Sequence, residues 1–184
     1  MAISRFSKQS IQLAFPKQQT IWDGISQPAA MDAIGSITLT ASATSITFSS
    51  IPSTYTHLQL RIFGNATNDG FIYFNGDTVN GNYYRHELYG LGSGTPSSDA
   101  FNAPYYDAGG VSSSYPMSHI MDILDYTNTN KNRTLRNLWG YDYNGSGRVG
   151  LLSIWWNSSS AINSITLSGR TFSQYSQIAL YGIK

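Results

Sequence analysis

Few side chains in this sequence are equipped for chemistry. Histidine occurs three times, at His57, His86 and His119, and Glu87 is the only glutamate. No two histidines share a spacing that would put them on one metal ion. Without cysteine, a thiolate zinc site, a disulfide framework and thiol catalysis are excluded. Serine is plentiful, yet the Gly-x-Ser-x-Gly turn that exposes a nucleophilic hydroxyl is absent. Glycoside hydrolysis asks for two carboxyl groups with separated pKa values. Glu87 is one candidate, but Asp122 and Asp125 fall in an Ile/Leu-rich strand, where hydrogen-bonded structural roles are common. The glycines of Gly90-Leu91-Gly92-Ser93-Gly94 suggest a phosphate loop, but no helix follows to hold the anion. Asp142, Asn144 and Ser146 alternate like the first ligands of a calcium loop, with Gly147 at the sharp turn. The twelfth position is Ser153 where a bidentate acid belongs, so the same residues read better as a hairpin turn. The expectation is a protein that is not an enzyme, with no catalytic residue, no metal and no cofactor.

What remains is binding chemistry. Charged residues are only 11% of the chain, against about 25% in ordinary soluble domains. Polarity comes instead from 26 serines, 15 threonines and 13 asparagines. Thirteen tyrosines and four tryptophans supply large contact surfaces. A net charge of +1 and one short basic cluster (Lys131, Arg133, Arg136), placed on a strand edge, argue against nucleic acid as a partner. No apolar run approaches the roughly 18 residues of a membrane span, and Met1 to Pro16 lacks the apolar core of a secretion signal. The sequence therefore predicts a soluble chain with neither a membrane nor a nucleic-acid partner.

These residues need elements to hold them. From Ser36 onward, short runs alternate apolar and polar residues: Ile37–Leu39, Ile46–Phe48, Leu58–Ile62, Phe71–Phe74, Tyr83–Tyr89, Ser118–Tyr126, Arg133–Tyr141, Val149–Trp156, Ala161–Leu167 and Gln174–Gly182. Turn residues separate most of them, and Asn75-Gly76 suits backbone with positive φ. The first two runs, extended by Thr40 and Ser45 and joined by the four residues Ala41–Thr44, read as a hairpin. Trp155 and Trp156 must point to opposite faces of a regular strand, one into the core and one outward. Ten such strands predict an all-β fold, a jelly-roll-like antiparallel β-sandwich over residues 36–184. The segment 90–116, rich in Gly, Pro and Ser, reads as a long functional loop carrying Phe101, Tyr105, Tyr106 and Tyr115, a possible glycan or partner contact. Residues 1–35 keep neither a helical nor a strand period. They carry Phe6, Leu13, Phe15, Ile21 and Trp22, which a solvated tail would not spend. An extended N-terminal arm that anchors the domain to a partner accounts for them.

Three stretches together suggest a family. They are Phe74-Asn-Gly-Asp-Thr with Asn82-Tyr-Tyr-Arg-His-Glu-Leu, Asp122-Ile-Leu-Asp-Tyr-Thr-Asn-Thr-Asn-Lys-Asn-Arg-Thr leading to Gly140-Tyr-Asp-Tyr-Asn-Gly-Ser-Gly, and the C-terminal Phe172-Ser-Gln-Tyr-Ser-Gln-Ile-Ala-Leu-Tyr-Gly-Ile-Lys. On these, residues 36–184 resemble small β-sandwich virion structural proteins of tailed bacteriophages, found as head decorations or as tail and fibre components. The resemblance implies an assembly role in the virion, often as a homotrimer, with the major capsid protein or other virion subunits as partners and no catalytic residue to carry over. A capsid decoration (cement) protein is the first expectation. A tail component that recognises host surface glycan is the second. A cysteine-free chain suits assembly in a reducing bacterial cytoplasm.

Overall fold

The computed structural model describes residues 30–91, 97–106, 115–142 and 147–184. Runs of β-branched and aromatic residues in period two give strands throughout this range: β1 (Met31–Thr38), β2 (Ile46–Phe48), β3 (His57–Gly64), β4 (Ala66–Thr67), β5 (Phe71–Phe74), β6 (Tyr83–Leu91), β7 (Ser97–Phe101), β8 (Met117–Leu124), β9 (Arg133–Tyr141), β10 (Arg148–Trp156), β11 (Ile165–Ser168), β12 (Thr171–Phe172) and β13 (Gln177–Ile183). The one helical element among the described residues is a 3₁₀ turn, Asn80–Asn82. No helix there is long and apolar enough to cross a membrane. All strand pairs are antiparallel. They form a main sheet of eight strands, ordered β1-β13-β3-β8-β9-β10-β6-β7, and a second layer made of β2-β11-β5 and β12-β4. The chain passes repeatedly between the layers, giving the all-β sandwich that the sequence predicts.

One core lies between the layers. Leu58, Leu60 and Ile62 of β3, Met121 and Ile123 of β8, Leu135 of β9, Leu152 and Ile154 of β10 and Leu180 of β13 meet Ile46, Phe48, Ile72, Phe74, Ile165 and Leu167 from the second layer. The turn after β5 fixes one end of it. Asn75 and Gly76 both take positive φ, 53° and 72°, and Asp77 N–H donates to the Phe74 carbonyl. Asp77 then accepts hydrogen bonds at its carboxylate from Trp156 Nε1 (2.8 Å), Asn82 Nδ2 (2.8 Å) and the Val79 N–H (3.0 Å). Burial pushes this carboxyl up, but the three donors outweigh it and leave its pKa below the usual carboxylate value. Tyr83, whose hydroxyl donates to the Asp77 carbonyl, is held neutral chiefly by burial.

Three sequence expectations change. Residues 37–39 and 46–48 do not form a hairpin: β1 pairs with β13 and β2 with β11. Residues 41–44 contain no positive-φ position to reverse the chain, and Ala43 instead bridges to Phe172 as the chain changes layer. The sheet also begins earlier than residue 36. Met31, Asp32, Ala33 and Gly35 pair with β13 across a bulge. Finally, Lys131, Arg133 and Arg136 are not an edge cluster, because β9 lies between β8 and β10. Arg133 is buried and donates to the carbonyls of Tyr126, Lys131, Ser159 and Ser160, while Lys131 pairs with Asp125.

The two adjacent tryptophans divide as alternation requires. Trp156 is 3% exposed in the core and Trp155 is 37% exposed on the opposite face. Replacing Trp156 with alanine is expected to cost about 3–5 kcal/mol in urea unfolding, and Trp155→Ala less than about 1 kcal/mol in the isolated chain.

Candidate interaction surface

The two faces of the main sheet are chemically distinct, and each holds something that strand periodicity alone did not reveal. On the inner face, polar side chains form a buried cluster. Glu87, 3% exposed, lies 3.3 Å from Arg85 Nη2 on its own strand and accepts a 2.7 Å hydrogen bond from Trp139 Nε1. That indole starts on β9 and reaches β6 by crossing β10 over Gly150, where a Cβ would come within 2.4 Å of its ring. Beside it, Asn137 Nδ2 donates to the Tyr106 carbonyl (2.7 Å) and to His119 Nδ1 (3.1 Å). His119 stacks on Trp139 and meets the Tyr106 ring edge-on, and Arg170 lies 5.1 Å over the same tyrosine. Burial, with the Arg170 charge adding to it, lowers the His119 pKa to about 3, so the imidazole is neutral and accepts at Nδ1. This cluster ties both layers together. It lies inside the core, where Arg85 and the Trp139 indole hold the carboxylate of Glu87.

The segment 90–116 is therefore more than a loop. It contains β7, and residues 103–106 run beside β5, with Ile72 N–H donating to Pro104 and Tyr106 N–H to Gly70. Tyr106, read from the sequence as a contact residue, is fully buried: its ring covers Gly70, where any Cβ would collide with it. Tyr105 is half-buried against Phe71 at 4.4 Å, with Arg85 5.7 Å from its ring. Tyr115 is half-buried, and Phe101 closes β7 opposite Arg85. The four aromatics do not make one exposed patch. Phe6, Leu13, Phe15, Ile21 and Trp22 lie outside the described residues, as do Asn144 and Ser146 of the turn considered for calcium. Among the described residues, no group of three or more His, Asp or Glu side chains is placed to hold a metal.

The outer face of the main sheet carries the surface that sequence reasoning missed. Its in-register rows can be read across neighbouring strands. Ile120, Leu138, Leu151 and Leu88 follow one another over β8, β9, β10 and β6. They are 39%, 52%, 56% and 55% exposed. The row on one side holds Phe63, Ser118, Gly140, Val149 and Gly90, with Phe63 and Val149 both exposed. On the other side runs a polar row of Gln59, Asp122, Arg136, Ser153 and His86. Beyond it Leu124, Thr134, Trp155 and Tyr84 complete the face, the two rings 5.3 Å apart. Hollows of about 490 Å³ and 430 Å³ lie on this face, one over His86, Leu88, Arg136, Leu151 and Ser153, the other over Phe63, Ile120, Leu138 and Val149. The signal was legible in principle: Leu-Leu-Ser-Ile-Trp-Trp in β10 is apolar at both parities, the pattern of a strand covered on two faces.

No protein-family model, curated protein or solved structure matches the chain.

Two measurements test the inner cluster. Tyr106→Ala is expected to destabilise the fold by about 3–5 kcal/mol, as a core truncation does. His119 gives a pH signature. Its folded pKa is depressed below the unfolded value, so the stability it confers is full above pH 6.5 and falls as the pH drops toward 3. Unfolding free energies from urea titrations at pH 7 and pH 5 should show stability falling by up to ~1.4 kcal/mol per pH unit below pH 6.5, and His119→Gln should flatten that slope.

Proposed function

We propose that the chain is a structural subunit of a tailed-bacteriophage virion, most simply a capsid decoration protein, that works by being docked. The observation that supports this is the outer face of the main sheet. Monomeric proteins rarely expose an apolar strip that is continuous over four strands, and such strips mark interaction sites. Its Phe63, Tyr84, Trp155 and Arg136 are of the residue types enriched at interfaces. Residues 36–184 resemble the decoration and tail proteins of these particles, and the low charge of the chain limits the desolvation cost of large contacts. In this reading the virion shell or sister subunits cover the face, and residues 1–30, with Phe6, Phe15 and Trp22, extend the attachment to the major capsid protein.

A second reading, a tail module recognising host glycan, is favoured by one observation. Tyr84 and Trp155 form an exposed aromatic pair on the same face as the hollow lined by His86, Thr134, Arg136 and Ser153. Sugar rings stack on such pairs while polar neighbours take their hydroxyls. The buried Tyr106 does not contribute to it.

Labelling the protein on intact particles and counting copies distinguishes the two. Hundreds of copies on the head support decoration, a handful at the tail supports recognition, and absence from purified particles contradicts both. Deleting residues 1–30 is expected to abolish binding to shells while the remaining domain keeps its β-type circular dichroism.

A further inference from the structure

The register of the outer face also indicates what covers it. We propose that the occupant is a second copy of this chain, stacked face to face about a twofold axis that runs along the strands between β9 and β10. This rests on the assembly reading and names the partner for its central surface.

The argument is one of self-complementarity. Such an axis superposes β9 of one copy on β10 of the other, and β8 on β6, while keeping each row at its own level. Leu138 then meets Leu151 and Ile120 meets Leu88, apolar on apolar. One row away, Gly140 lies opposite Val149, a gap opposite a knob. Two rows on, Thr134 lies opposite Trp155 and Leu124 opposite Tyr84, again small beneath large. In the polar row, Asp122 of each copy faces His86 of the other, and Arg136 faces Ser153. Arg136 and its symmetry mate flank the axis, each with an Asp122 carboxylate alongside on its own sheet to balance it, and the aromatic rings of Trp155 and Tyr84 lie over smaller side chains. An axis across the strands, along the leucine row, instead lays Val149 over Ser153 and Phe63 over Gln59. Sheets stacked in this way pack about 10 Å apart and tolerate a rotation of about 30° between their strands. A net charge of +1 leaves little repulsion between copies. The register favours this pair over the trimer that the family resemblance implies.

Sedimentation velocity of the full chain tests it. The wild type is expected to sediment as a dimer at micromolar concentration. Leu138→Lys with Leu151→Lys should give a monomer of unchanged far-UV circular dichroism, since both side chains leave the fold's own core untouched. Charge reversal supplies a readout that misfolding would not mimic. Asp122→Arg, which sets a cation against His86, should weaken dimerisation about tenfold or more, and His86→Asp should do likewise. The double variant Asp122→Arg/His86→Asp should restore it. A monomeric wild type, a trimer, a dimer indifferent to the leucine substitutions, or failure of the double variant to recover would each overturn the pairing. Incorporation into particles is read separately. A chain that enters virions yet stays monomeric in solution overturns the self-pairing and leaves the assembly reading standing.

Discussion

A β-strand offers two faces at once, and one second layer can cover only one of them. The rest of this structure follows from that constraint, because β8, β9, β10 and β6 carry large apolar side chains at both parities. Their inner residues are sealed by β2, β11, β5 and the 103–106 segment, and very little of them reaches solvent. Their outer residues Ile120, Leu138, Leu151 and Leu88 are left with 39–56% of their surface open. Burying apolar area is worth roughly 25 cal/mol per Å², so a continuous strip of this kind is a standing drive toward association. The assembly reading proposed above takes this open outer face as the surface that another molecule covers.

The inner face is held by a network of buried polar side chains. Where Arg85, Glu87, His119 and Asn137 replace apolar core residues, each is held by a specific partner, and two of those partners come from elsewhere in the fold: Tyr106 from the segment beside β5 and Trp139 from across β10. Breaking such a buried charge pair by removing one member is strongly destabilising, although replacing the whole group with apolar residues need not be. The network therefore specifies how the two layers sit together, and it keeps β9, β10 and β6 in the register on which the outer rows depend. Gly150 is the small detail that permits it, since any side chain there would displace the indole that reaches Glu87.

Much of this was legible in the residues. Alternation in Leu58–Ile62, Arg133–Tyr141 and Val149–Trp156 placed the strands to within a residue or two, and adjacency alone separated Trp155 from Trp156. Pairing was less legible. β1 finds β13 at the far end of the chain, and nothing local in residues 41–44 reports that the chain changes layer there. The two-residue strands β4 and β12 are too brief to show a period, and β7, Ser-Ser-Asp-Ala-Phe, has no apolar alternation to reveal it. The site was harder still. Tyr105 and Tyr106 sit in a Gly- and Pro-rich stretch that reads as solvent-facing, and only the partners at Gly70 and Pro104 make it a rung of the second layer. The outer rows could have been found from the double parity of β10, but an apolar residue does not state whether its neighbour is its own core or another molecule.

Hydroxyl-radical footprinting of the assembled protein against the dilute chain reads the outer face directly. The account requires protection of Leu88, Leu138, Leu151 and Trp155 on assembly, while Tyr175, 73% exposed in the turn before β13, labels equally in both states. Equal labelling of the four outer-face residues in both states would contradict it.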